Sequence, residues 1–396
     1  MLLGTLLIRG AGFVYPFLAY HLASRGVEAA WASIVLALFG AGWLTGQIAC
    51  GALADRIGRR ATLVGAMTGA ALIFSILAHA HGLTALAVSA FLAGTVYDAP
   101  RPIVSALIMD SVPDEPTRTK IAAWRHFAVN LGAACTGAVG GLLSEQLGTA
   151  PLFWANAIAC ALFALAARQL LPACSASSQG AGSGSFQDAV SDLRLMLLWL
   201  VSVCALIPIA ALYSVLPVLM VQDHLAVSAY GWSQVAGAIA VLVFSPLLNP
   251  WLARRAAGNV PMVGLLALSA VILGAGMGSA GLTSHPVGYA AAVVSAVPGE
   301  IIAFVAAANI VNLIAPAHAR GLYAGIWGTT LAVAVIGAPL MADWALSTGG
   351  HPGVALALTA CGLVGAAACL PLGVLVRRPP ATAAPPAPMT SALKAG

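Results

Sequence analysis

The chain has 396 residues, 61% of them hydrophobic and only 7% charged, with a net charge of +5. So few charges exclude an ordinary soluble domain. Long apolar segments recur along the whole chain, which points to an all-α polytopic membrane protein and away from a barrel of short alternating strands.

Twelve spans are predicted, in two sets of six. The first set covers about 2–23, 31–54, 62–80, 84–109, 121–144 and 150–171, and the second about 195–221, 230–252, 261–281, 287–312, 321–344 and 353–376. The first span lacks the basic start of a signal peptide and is too long for one. It begins almost at Met1, which leaves no cytoplasmic lead and points to a start slightly upstream. Arg9 sits about two turns into it. It either snorkels to the surface or lines a cavity, where it would contact substrate or pair with Asp98.

Between the second and third spans the greasy pattern breaks at Gly51-Ala-Leu-Ala-Asp55-Arg56-Ile-Gly58-Arg59-Arg60. Gly51 and Gly58 suit close helix approach and a tight turn. Asp55 stands at a helix end, where it can cap a neighbouring helix, and Arg56, Arg59 and Arg60 hold the loop on the cytoplasmic side. The fourth span carries Tyr97-Asp98-Ala-Pro100-Arg101-Pro102. A spacing of three would put Asp98 and Arg101 on one helix face. The prolines suit a helix lining a wet cavity. Asp110, at the end of this span, can reach the arginines of the 51–60 loop. In the fifth span Gly132, Gly137, Gly140 and Gly141 offer a smooth packing face.

Residues 173–192 read as a flexible Gly/Ser-rich linker. In the tenth span Glu300 follows Pro298 with no basic residue near it in sequence. A carboxyl at bilayer depth without a partner is more stable neutral, so Glu300 can take up and release a proton, or serve as a buried hydrogen-bond donor. Asn309 and Asn312 read as interhelical hydrogen-bond formers. Residues 377–396 are Pro/Ala-rich and expected to be disordered. The organisation expected is therefore a six-helix bundle over 1–172, a linker over 173–192, a second bundle over 193–376 and a tail over 377–396.

Thirteen of the Lys and Arg residues, among them Arg118, Arg254, Arg320 and Arg377, fall on one side of the predicted topology, and Arg25 falls on the other. Both termini, the linker and the 51–60 loop are thus expected to be cytoplasmic. The two sets of six read as repeats. At an offset of 202 residues Arg118 meets Arg320, Asp98 meets Glu300, Asp110 meets Asn312 and Ala122 meets Ala324. The cysteines read as small apolar residues. No metal motif occurs, and His79, His81, His224, His285 and His351 are expected to be solvated. Trp31, Trp43, Trp154, Trp232 and Trp344 fit anchors at the outer membrane boundary.

The 51–60 stretch resembles the signature of the loop between the second and third spans of the major facilitator superfamily, Gly-x-Leu-Ala-Asp-Arg-x-Gly-Arg-Arg. With the six-plus-six plan, the resemblance covers essentially the whole chain. It implies that the first, fourth, seventh and tenth spans line a central cavity, which would bring Arg9, Tyr97, Asp98, Arg101 and Glu300 to a substrate. It also implies a conformational latch of Gly51, Asp55, Arg56, Gly58, Arg59, Arg60 and Asp110. There Asp55 would cap the eleventh span and Arg59 would pair with Asp110. Within the superfamily the chain looks most like bacterial drug/proton antiporters. Tyr97-Asp98-Ala-Pro100-Arg101 resembles a pattern of that branch, and so does the fifth-span glycine run, with Ala138 where the pattern has proline.

The function expected is secondary active transport across the bacterial cytoplasmic membrane: proton-coupled efflux of drugs or amphipathic compounds, with Glu300 and Asp98 coupling the proton. The alternative is a metabolite uptake permease, a symporter or uniporter. An enzyme is not expected, because no catalytic constellation stands at either membrane face. The expected partners are a small-molecule substrate, protons and membrane lipids, with no nucleic acid. The protein is expected to be a monomer with no cofactor, driven by the proton gradient.

Overall fold

In a computed structural model of the chain, residues 2–98, 115–170, 186–258, 260–316 and 319–377 are described, with only the backbone of Leu2, Leu3, Thr5, Asp55, residues 115–120, Ala122, Ala123, Arg125, His126 and Arg377. Their regular structure is helical. In chain order the helices are α1 (Leu2–Gly10), α2 (Val14–Ser24), α3 (Ala29–Ile57), α4 (Arg59–His79), α5 (Leu83–Tyr97), α6 (Glu115–Leu147), α7 (Ala150–Leu170), α8 (Phe186–Ser191), α9 (Leu193–Gln222), α10 (Val227–Ala257), α11 (Val263–Gly278), α12 (Pro286–Ile314) and α13 (Arg320–Arg377).

Among the described residues, ten stretches are long and apolar enough to cross a membrane, and α5 is a shorter apolar helix. The last stretch, Arg320–Val376, has 57 residues. At 1.5 Å per residue it would run roughly 85 Å, far beyond a hydrocarbon core of about 30 Å. It bends at Gly350, whose φ of 59° and ψ of −150° leave the helix. The sequence Gly349-Gly350-His351-Pro352 supplies a residue that tolerates this backbone and a proline that cannot continue the hydrogen-bond ladder. The chain therefore has about ten to twelve crossings.

Three expectations need correction. The first span is not one continuous helix, because α1 and α2 are separated at Ala11–Phe13. Gly10 and Gly12 weaken the helix there, and neighbours satisfy the freed backbone. The Thr136 hydroxyl donates to the Arg9 carbonyl, and the Val14 N–H donates to the Asn156 side chain at 3.2 Å. Second, α5 ends at Tyr97, and Asp98 has left helical geometry with φ −114° and ψ 15°. Residues 99–109 of the expected fourth span, Arg101 among them, lie outside the described residues. Third, the end of the expected 173–192 linker is ordered. Its residues 186–191 form α8, and Ala189 is buried against Leu195 and Leu198 of α9.

Asp192 caps α9. Its carboxylate accepts from the Arg194 N–H at 2.9 Å, the Arg194 guanidinium at 2.9 Å and the Tyr323 hydroxyl at 2.9 Å. Burial pushes the Asp192 pKa up, but these hydrogen bonds outweigh it and hold the carboxyl below its usual range. Asn309 is an interhelical hydrogen-bond former as expected, accepting from the Met262 N–H at 3.3 Å.

The two halves of the chain share one large buried cluster, from Phe13–Leu22 and Val35–Phe39 to Ala205–Met220 and Ala334–Ala342. They meet on the far side of the bundle from the basic 56–60 loop. There a Cβ on Gly137 of α6 would come within 2.7 Å of the Gly231 carbonyl oxygen of α10. A Cβ on Gly40 of α3 would lie 2.9 Å from the Ile336 nitrogen of α13. The Ser228 N–H donates to the Glu145 carboxylate at 2.9 Å at the same end. Toward the basic end, two further buried clusters belong to the second half alone. Gly51 of α3 and Gly321, Gly325 and Gly328 of α13 face open space at that end. Among the described residues, the halves are closed together at one end and make no such close backbone contact at the glycines of the other.

Candidate functional site

The break after α1 places Arg9 against α6 and the end of α5. Its Nη2 donates to Asp98 Oδ1 at 2.8 Å, with the Asp98 side chain 4% exposed and that of Arg9 31%. Arg9 thus pairs with Asp98 and does not merely snorkel. Gly132 makes room for it, since a Cβ there would lie 2.6 Å from the Arg9 Cβ. Losing one partner of a buried ion pair costs about 3–5 kcal/mol. Arg9→Gln should therefore lower the thermal midpoint of the purified protein sharply, whereas Arg9→Gln with Asp98→Asn should recover much of the loss; equal midpoints for the two variants would refute the pairing.

Glu300 lies at the midpoint of α12, one residue past the Pro298–Gly299 step. It is half-buried, and among the described residues it has no hydrogen-bond or ion-pair partner. It lines an open cavity of about 540 Å³ between the halves, with Asn130 of α6, Tyr213 of α9 and Gln234 of α10 as the other polar walls. The remainder is apolar, including Ile209, Val241, Leu273 and Met277. Gln234 is oriented by a hydrogen bond from its Nε2 to the Tyr230 hydroxyl at 2.7 Å. One carboxyl and two amides in an apolar wall can hold an amphipathic molecule through a few directed hydrogen bonds.

An aromatic group runs from the cavity-lining Tyr213 to Tyr97, the neighbour of Asp98. Tyr15 stacks on Phe39 at 4.8 Å and meets Tyr97 at 5.8 Å and Tyr213 at 5.3 Å. Trp43 packs into the same group and is buried, so it is not the boundary anchor expected from sequence. Trp31, Trp232 and Trp344 are exposed, as anchors would be. Sequence reasoning missed Tyr15, Asn130, Tyr213 and Gln234. In greasy helices an aromatic residue or a lone amide carries no periodic signal, and the prolines Pro208 and Pro217 flanking Tyr213 were the one available pointer.

Arg9, Tyr97 and Asp98, expected in one cavity with Glu300, do not line this one. Arg101 and Asp110 lie outside the described residues, as does the side chain of Asp55. Gly58 joins α3 to α4 with a φ of 88°, the tight turn expected of it. The Arg60 guanidinium donates to the Arg168 carbonyl. Of the histidines expected to be solvated, His79 and His81 are exposed and make surface contacts, while His351 is half-buried. His79 accepts from the Trp154 indole at 2.9 Å, His81 meets the Arg25 guanidinium at 2.5 Å, and His351 lies 3.8 Å from Asp223.

The sequence model of the Major Facilitator Superfamily matches residues 1–339. The chain belongs to that superfamily. Among curated proteins it is 27% identical over 218 residues to the inner membrane transport protein YajR of Escherichia coli (strain K12), a stretch covering 54% of this chain and 47% of that one. The match thus spans about half the length of that relative. Solved structures share the fold. A POT family transporter in complex with a thioalcohol-conjugated peptide gives a TM-score of 0.75 at 15% identity, covering 95% of this chain and 94% of that one. The nucleoside transporter NupG gives 0.73 at 16%, covering 94% and 98%. The chain is thus a facilitator-superfamily transporter, and its described halves pack together at one end.

Proposed function

We propose that the protein is a proton-coupled secondary transporter that exports amphipathic small molecules across a bacterial cytoplasmic membrane by alternating access. The observation that carries this reading is Glu300. It is an ionisable group at mid-helix depth, without a partner among the described residues, in the wall of an apolar cavity between the halves. Ionisable groups at such depth are costly and mark substrate or proton pathways. Twelve spans in two six-helix bundles, 1–172 and 193–376, joined by 173–192 and followed by a tail over 377–396, fit the helices and the internal repeat. With the arginine-rich loops and both termini in the cytoplasm, the conformation described is open to the cytoplasm, and the protein works as a monomer. Proton loading at Glu300 would disfavour a cationic group of the substrate in the same site, and substrate would displace the proton. That is antiport by linkage.

Uptake is the second reading. The fold-level likeness to a peptide-binding POT transporter and a nucleoside transporter fits it equally well. Proteoliposomes carrying an imposed pH gradient, assayed with cationic dyes and with common metabolites, separate the two. Export predicts dye movement against the proton gradient, and uptake predicts metabolite accumulation along it.

The 51–60 loop is proposed as a latch that forms when the cytoplasmic end closes, with Asp55 at the start of α13 and Arg59 at Asp110. Asp55→Asn should then cut transport severalfold while insertion and thermal midpoint stay normal. Wild-type rates in that variant would leave the loop with a topogenic role alone.

A further inference from the structure

We propose that Tyr213 is the partition that keeps the Arg9 guanidinium away from Glu300 and so preserves a carboxyl free to exchange its proton. The proposal rests on the reading that Glu300 exchanges the coupling proton. Among the described side chains, Arg9 is the cation at bilayer depth, and it holds only part of its capacity in the Asp98 pair. The bond to Asp98 runs through one guanidinium nitrogen, and about a third of the side chain remains exposed. Arginine offers five donors in all. A cation brought within about 4–6 Å of a carboxyl favours the charged form and lowers its titration by roughly 1–3 pH units. Glu300 paired with Arg9 would therefore stay ionised and carry no proton.

Tyr213 occupies the position that prevents this. It lines the Glu300 cavity, and through Tyr15 it joins the aromatic group that includes Tyr97, the residue before Asp98. Its ring is held from the other half by Tyr15 at 5.3 Å, and Tyr15 is held by Phe39 and Tyr97. The phenol is thus fixed as a wall between the two charged sites. The other groups around Glu300 do not replace it. Asn130 and Gln234 do not titrate, Tyr230 is engaged with Gln234, and the described parts of α11 facing the cavity are apolar. Tyr97 and Asp98 lie on the Arg9 side of the wall.

The test needs no substrate. Infrared absorption of protonated carboxyl groups is followed across a pH titration of the purified full-length protein, and Glu300→Gln identifies the Glu300 signal. Tyr213→Ala should move the pH at which that signal is half lost downward by about 1–3 units. Tyr213→Phe should leave it in place, because the ring and not the hydroxyl is the wall. In an Arg9→Gln/Asp98→Asn background, Tyr213→Ala should move nothing, since the Arg9 guanidinium is no longer there to cross. Should Tyr213→Ala fail to purify, Tyr213→Leu should give a smaller shift in the same direction. An unmoved signal in the alanine or leucine variant overturns the partition, and so does a shift that persists without Arg9. A titration in which Glu300→Gln removes no signal overturns the reading of Glu300 itself, a result distinct from the other two.

Discussion

Replacing Glu300 with glutamine is expected to abolish transport driven by a pH gradient while substrate exchange at zero gradient persists. Glutamine has the shape and hydrogen-bonding capacity of the neutral carboxyl but cannot release a proton. A transporter coupled through this group would then be locked in its proton-loaded form. It would bind a cationic substrate more weakly but could still flip and exchange it, and a proton gradient would have nothing to act on. Asp98 stands at the related position of the first half, yet its carboxylate is held by Arg9 at 2.8 Å. An adjacent cation makes a carboxyl a poor proton carrier unless the pair opens. Asp98→Asn should therefore disturb stability and substrate handling more than coupling. If pH-driven transport survives Glu300→Gln but is lost in Asp98→Asn, the two roles are reversed. If it survives in both, neither residue carries the proton.

Gly231→Val is expected to stop transport by a different route. Helices α6 and α10 touch backbone to backbone at the closed end. A Cβ on Gly231 would run into the Gly137 carbonyl and lie 2.9 Å from the Gly141 Cα. Backbone atoms cannot rotate aside as a side chain can. Overpacking of this kind costs about 1–3 kcal/mol, which corresponds to a shift of roughly 5–150-fold in a conformational equilibrium. The closed end should spread, transport should fall by at least about tenfold, and spin labels placed on the ends of α6 and α10 should move apart. Gly51→Ala, at the end where the same kind of residue faces open space, should leave the label distance between α6 and α10 unchanged. Normal transport and an unchanged distance in Gly231→Val would contradict the closure described.

Much of this was legible in the sequence, and what was not shares a physical cause. Long apolar runs fix helices because backbone groups in hydrocarbon must be satisfied internally, so the crossings and the turn at Gly350 could be placed from composition and punctuation alone. The repeat offset singled out Asp98 and Glu300, because a charge is conspicuous where charges are expensive. The Arg9–Asp98 pair joins residues 89 positions apart, and no local spacing announces such a contact; the nearer Arg101 looked the better partner. The fifth-span glycines were readable as a packing face, but not that Gly137 and Gly141 meet Gly231 of the other half. The break after Arg9 had a signal in Gly10-Ala11-Gly12, outweighed by the apolar run around it. The Tyr15–Tyr213 contact depends on how the halves dock, which no single helix encodes.

The central claim, that this cavity exchanges substrate for a proton through Glu300, is tested most directly by following the proton itself. Proteoliposomes are loaded with a pH-sensitive dye, and a concentration gradient of a transported compound from the panel is imposed with no pH gradient at the start. The account predicts that compound leaving the lumen drives protons into it, acidifying the interior, and that Glu300→Gln moves the compound without any pH change. Compound movement with no proton flux in the wild-type protein, or protons flowing in the same direction as the compound, would contradict it.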